Sequence, residues 1–500
     1  MQEAICSSNL LNLLQACCRK KDLIRGRQVY SIMAQNNFES TALLADYFIR
    51  LLATCGYVED ADKAFSYVSN PSVYTWTAMI SAHASLGHAF TAIDLHFKMQ
   101  QCGTEPDRVI FLCVLKACSC QGTLHFGRLI HHQVFDSGLM LDVVIGNTLI
   151  DMYAKCGSLD EARSLFDGLP SRTMVSWSAL IAGYAEHGPG DLGYEFFVRM
   201  QEEGFNPCRG LFLCILKICA AMEDSEKCMV THDQTIVHGF EFDILVGSSL
   251  IDVYAKCDCL MEAHKVFKLL PNPNIVSWGA LINGYAQHGQ GYLALELFKK
   301  IQREGFKPDT YLYSCMIKLC ASMGASEQGK LLHKNFAKSG LRLDTVVGNS
   351  LIDMYCKCGI LVMAHKVFNE LRIKDVASWG ALIAGYAAHG VYKQAVELLE
   401  GMQKQGINPD SGVFLNILAA CNHSGLLEDG RHHFKAMVAD HGITLSIEHY
   451  NCIIDLFSRT GSLNEATDLL HTISAKPDVI GRRSLLAGAN SFKHVEIRDV

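Results

Sequence analysis

From Asn147 to Phe166 the chain reads NTLIDMYAKCGSLDEARSLF. Leu149, Ile150 and Tyr153 recur at the spacing of one face of a helix, and Gly157 then stands where a helix ends. A second apolar stripe follows at Ala162, Leu165 and Phe166. The pattern predicts two short antiparallel helices joined by a tight turn. Ser158 with Glu161 predicts a capping box at the start of the second helix, and Ser462 with Glu465 repeats the spacing. Gly138, Gly204, Gly305 and Gly406 are predicted to close other second helices. Pro106, Pro207, Pro308 and Pro409 stand beyond helix ends, where a helix cannot resume. Neither strand-period alternation nor a long linker interrupts the series, so the expected class is all-α.

The pattern recurs at fixed distance. Trp76, Trp177, Trp278 and Trp379 are each 101 residues apart. Around them stand YTWTAMISAHASLG, VSWSALIAGYAEHG, VSWGALINGYAQHG and ASWGALIAGYAAHG. A register that strict marks tandem duplication. Each full block divides into units of 35, 35 and 31 residues, as 73–107, 108–142 and 143–173. Blocks then run 73–173, 174–274, 275–375 and 376–478, after a partial block of two units at 7–72 and before a fragment at 479–500. One helix pair cannot bury its apolar face alone, but stacked pairs can, so the expected architecture is an α-solenoid superhelix of helix-turn-helix repeats.

Composition changes this picture little. Of 500 residues, 49% are hydrophobic, enough for a long continuous core. The net charge of −7 gives no bulk basic field for nucleic acid, although a local stripe can differ from the total. The 21 cysteines follow the repeat, as at Cys118, Cys219, Cys320 and Cys421, and no C-x-x-C occurs. They read as small buried residues of a protein kept reduced. The N-terminus lacks the pattern of a secretory signal and is poor in arginine. Charge-free stretches such as 376–392 recur in register and read as repeat helices, not membrane spans.

Residues four apart share a helix stripe. Asn147, Asp151 and Lys155 form one, distinct from the apolar face. It returns as Ser248, Asp252, Lys256, as Asn349, Asp353, Lys357, and as Asn451, Asp455, Arg459, with Lys116, Lys217 and Lys318 in the middle units. Lys155, Lys256, Lys357 and Arg459 are candidate phosphate contacts, because cations at unit spacing can follow a phosphate backbone. The same aspartate and lysine also make an ordinary pair on a solvated face.

The tryptophan phrase, the middle-unit phrases LFLCILKICA and LYSCMIKLCA, and VGNSLIDMYCKCG with MAHKVF resemble the pentatricopeptide repeat family, in its plant-type class of alternating long and short motifs. The resemblance implies an α-solenoid whose first helices line a concave groove for single-stranded RNA, about one base per repeat. It implies readers at the fifth and last residue of each unit. These are Thr77 with Asp107 (guanine-like), Asn147 with Thr173 (pyrimidine-leaning), Ser248 with Asn274 (adenine-like), and Asn349 with Asp375 and Asn451 with Asp478 (both uracil-like). Ser178 falls at a reading position opposite Cys208, an unusual pairing. Val144, Val175, Val276 and Val346 are implied to sandwich bases. Gly279, Gly380, Leu112, Leu213 and Leu415 stand at reading positions without a polar side chain, and Glu448 stands at a sandwiching position.

The implied role is recognition of sites for C-to-U editing, or processing, of organellar transcripts in mitochondrion or chloroplast. A deaminase partner or a missing domain would supply any chemistry. No membrane, DNA, metal or cofactor is expected. VIGRRSLLAGANSFKHVEIRDV resembles the opening of the family's first C-terminal extension motif. His494-Val495-Glu496 fits H-x-E by letters, but no P-C-x-x-C follows to complete a zinc deaminase, so the chain is not expected to be an enzyme. Histidines such as His131, His232 and His333 recur with the repeat and read as scaffold, since a catalytic site converges once. The competing function is a scaffold holding a peptide in the groove.

Overall fold

The computed structural model describes residues 7–35, 42–68 and 71–472. These residues form 28 helices and no strand. The helices alternate as first and second members of hairpins. First helices begin at Ser7, Ala42, Val73, Arg108, Val143, Met174, Arg209, Ile244, Ile275, Thr310, Thr345, Val376, Ser411 and Ile447. The fold is an all-α solenoid of helical hairpins. The chain divides into two compact units, one up to Cys259 and one from Leu260. Within each, a first helix packs on its own second helix and on the next first helix. Among the described residues no helix is long and apolar enough to cross a membrane.

Local chemistry explains where helices start. Asp142 accepts from the backbone N–H of Val144 and Ile145, and Asn274, Asp309, Asp344 and Asp410 cap their helices in the same way. Each such cap is worth about 1 kcal/mol. The expected box at Ser158 does not form: its hydroxyl contacts the Glu161 carboxylate and makes no cap bond to the backbone. Arg128 from the preceding second helix also binds that carboxylate. The acid is spent on neighbours, not on the Ser158 N–H.

The tryptophan phrase is a packing device. Trp177 is fully buried and meets Phe166 of the preceding second helix edge-on, centroids 4.6 Å apart. Trp76 with Phe65, Trp278 with Phe267 and Trp379 with Phe368 repeat the contact at 4.9, 4.5 and 4.7 Å. The glycine of the phrase lets first helices touch. A Cβ on Gly183 would stand 2.5 Å from the Ala154 Cβ, closer than atoms approach.

The recurrent histidines bind hairpin to hairpin. His131, His232 and His333 on second helices meet the hydroxyls of Tyr153, Tyr254 and Tyr355 on the next first helices, at 2.9, 3.0 and 2.8 Å. His264 with Tyr285 and His365 with Tyr386 do the same in the second unit.

Candidate nucleic-acid interface

The side chains singled out above lie on the first helices and at the residues that cap them. Val144, Val175, Val276 and Val346 are exposed at the first turn of their helices. Three residues on, Thr77, Ser178, Asn349 and Asn451 are half-buried, and Asn147 and Ser248 are buried. Asp478 lies outside the described residues, as do Val479 to Val500 with His494 and Glu496.

Two of the paired positions converge. Asn147 donates Nδ2–H to Thr173 Oγ1 at 3.1 Å, and Asn349 donates to Asp375 Oδ1 at 3.4 Å. In both asparagines the amide oxygen is buried without a hydrogen-bond partner. A buried acceptor left open costs roughly 1–3 kcal/mol unless something supplies a donor. Burial pushes the Asp375 carboxyl up. Bonds from the Ser378 hydroxyl and backbone N–H and from Asn349 outweigh it, so the group sits below the usual carboxylate range and stays anionic.

The last residue of a unit serves the next helix as well. Asp107 Oδ1 accepts from Ile110 N–H at 2.9 Å. Thr173, Asn274 and Asp375 accept from the N–H of Ser176, Ser277 and Ser378. Helix capping by itself selects Ser, Thr, Asp and Asn. These identities therefore carry a structural signal beside any reading role, which the sequence comparison could not separate. Ser248 Oγ–H donates to Ile244 O at 2.6 Å, and Thr77 Oγ1–H to Val73 O at 2.7 Å. With its proton committed, the Thr77 oxygen is left as an acceptor.

The candidate phosphate cations are exposed, but each meets the aspartate one turn earlier. Lys155 meets Asp151 at 3.0 Å, Lys256 meets Asp252 at 2.8 Å and Lys357 meets Asp353 at 2.9 Å. Arg459 reaches Asp455 at 4.0 Å and the side-chain Oδ1 of Asn422 at 3.4 Å. Exposed pairs of this kind are worth under about 1 kcal/mol, so a phosphate can compete for the cation. Lys217 lies 3.9 Å from Glu186, whereas Lys116 and Lys318 make no ion pair among the described residues.

The silent positions have room. A Cβ on Gly279 would meet nothing within 4 Å, and one on Gly380 only Val413 Cγ2 at 3.6 Å.

Two arrangements escaped the sequence reading. Asp46, the fifth residue of its unit, is buried and receives the hydroxyls of Ser72 at 2.8 Å and of Thr75. Ser314, also a fifth residue, shares a buried hydroxyl contact with Ser350 at 2.8 Å. Both polar groups are consumed internally. The variation at fifth residues was visible in sequence, but the partner that consumes each was not.

A profile of the PPR repeat matches residues 74–104, 147–172, 175–205, 248–272, 349–376, 377–407 and 448–475, and a profile of the PPR repeat family matches 273–322. A pentatricopeptide repeat-containing protein of Arabidopsis thaliana is 34% identical over 493 residues, covering 98% of this chain and 72% of its own length. A second from the same plant, named as chloroplastic, is 32% identical over 491 residues. It is covered over 61% of its length by 98% of this chain. Among solved structures, that of the maize pentatricopeptide repeat protein PPR10 in complex with an 18-nt psaJ RNA element aligns with TM-score 0.67 at 18% identity. The alignment covers 99% of this chain and 78% of that one.

Proposed function

The chain belongs to the pentatricopeptide repeat family, and from that premise we propose that it binds single-stranded RNA sequence-selectively, about one base per repeat, and directs editing or processing of an organellar transcript. The observation that carries this reading is the pairing of Asn147 with Thr173 and of Asn349 with Asp375, each leaving a buried amide oxygen open. These oxygens are shielded in the unliganded arrangement, and a rotation of the asparagine side chain that uncovers the unpaired acceptor beside the hydroxyl or carboxylate would suit the N3–H of uracil. The exposed valines three residues earlier give apolar surface for the base faces. The structure of PPR10 with RNA gives a relative of like fold such a ligand. The chloroplastic relative fits an organellar setting, in mitochondrion or chloroplast. Any deamination would come from a partner protein or another domain.

The competing reading, a peptide scaffold, draws on the acid-paired lysines and the net charge of −7. Selection from a randomised single-stranded RNA pool separates the two. RNA reading predicts enrichment of one sequence, and Asn349→Ser should move preference at one base from pyrimidine toward purine with little change in total affinity. Failure to enrich any sequence, or a uniform loss at every position, would overturn it.

A further inference from the structure

Several departures from the repeat line one cleft. A cleft of about 690 Å³ in the first compact unit is lined by Lys21, Arg50, Tyr74, Thr77, Asp107 and Val109, among others. Three of these residues break the register. Lys21 takes a left-handed conformation, φ 53°, at the position that Gly122, Gly324 and Gly425 fill in later blocks with φ 65°, 64° and 64° and that Glu223 fills with φ 52°. Arg50 stands where Asp151, Asp252 and Asp353 stand, and Tyr74 where Val175, Val276 and Ala377 stand. Thr77 keeps a side chain where Gly279 and Gly380 have none.

Each departure adds chemistry to the same cleft. Lys21 and Glu223 both accept the left-handed strain that glycine avoids, so what sets Lys21 apart is the positive charge it brings to the cleft. The aspartate that neutralises Lys155, Lys256 and Lys357 is replaced by a cation. Neither Lys21 nor Arg50 has an ion pair among the described residues. The Arg50 guanidinium lies 5.6 Å from the Tyr47 ring centre, and the nearby Asp46 carboxylate is held by the Ser72 and Thr75 hydroxyls. Tyr74 and Val109, both exposed, stand one unit apart at sandwiching positions, and Thr77 and Asp107 supply acceptors.

Resting on the RNA reading above, we propose that this cleft is the anchoring nucleotide site. One nucleotide stacks on Tyr74, presents ring N–H donors to Thr77 and Asp107, and sets its phosphate between Lys21 and Arg50. Stacking and two cations outside ion-pair distance of a carboxylate act there on one residue of the strand, whereas the later blocks offer valine or alanine, and Lys155, Lys256 and Lys357 each meet an aspartate. The anchor fixes the register in which the other repeats meet their bases.

The test uses the full chain and an RNA selected from a random pool. Lys21→Gly installs the residue of Gly122, Gly324 and Gly425 and relieves the backbone, and Arg50→Gln removes one charge at an exposed position, so neither variant should unfold. Each should weaken binding by roughly tenfold and lower the log–log salt slope by roughly 0.7 per cation removed. The nucleotide facing the cleft is located by the base whose preference moves in Thr77→Asn. An abasic residue there should cost more affinity than one at any other position. Unchanged affinity and slope in both variants, with abasic costs spread evenly, overturn the anchor while leaving RNA recognition standing. Loss of all selection by the native chain overturns both. Saturation by free guanosine monophosphate that depends on Lys21 and Arg50, with RNA indifferent to them, makes the cleft a mononucleotide site and overturns the anchor.

Discussion

Asn147 gives its amide proton to the Thr173 hydroxyl, and Thr173 in turn caps the helix Met174–His187 by accepting from Ser176 N–H at 3.3 Å. One hydroxyl thus holds both a candidate base reader and the next helix. Thr173→Val keeps the shape and removes both bonds. The cap alone predicts a loss of about 1 kcal/mol in urea unfolding. The freed Asn147 amide should blur base preference at one position of a selected RNA. Thr173→Ser should restore both readouts.

The silent repeats should be open to programming. Gly380 has space for a side chain and sits inside a helix, where glycine is a poor choice. Gly380→Asn should hold or slightly raise the melting temperature. In a random-pool selection it should create a preference at a position where the native protein has none. An unchanged profile would mean that this repeat does not reach a base.

Close helix contact predicts a steric penalty. Valine at Gly183 would drive its Cβ into Ala154 and Leu159, and overpacking of this kind costs typically 1–3 kcal/mol, about that range expected here. Chemical denaturation should place Gly183→Val well below the native midpoint. Ala154→Gly, added to it, should recover part of the loss.

The histidine–tyrosine contacts predict acid sensitivity. Burial pulls His131, His232 and His333 below the ordinary histidine range, with His132 adding to the effect at His131. The unfolded chain, titrating near about 6.5, therefore takes up protons before the folded one does. This contribution is whole above that pH and declines as pH falls toward the lowered folded values. Thermal melts should drop between about pH 7.5 and about pH 5.5, and replacing all three histidines by glutamine should flatten the drop.

Much of the molecule was determined by sequence alone. The 101-residue register, the 35/35/31 division and the glycine stops follow from short-range rules: helical spacing of apolar residues, turns that only glycine adopts easily, and proline beyond helix ends. Each such signal lies within a few residues of its effect. Tertiary structure decided what those local rules leave open. It gave Glu161 to Arg128 instead of a capping box, and set Gly183 against Ala154 from another hairpin. It locked Asp46 and Ser314 into internal bonds while leaving Asn147 and Asn349 with an open acceptor. It also brought Lys21, Arg50, Tyr74 and Asp107 to one cleft from three successive units. The physical reason is reach. A side chain's partners are set by which helices stack, and stacking joins residues some 30 positions apart, beyond any pattern legible within a single helix.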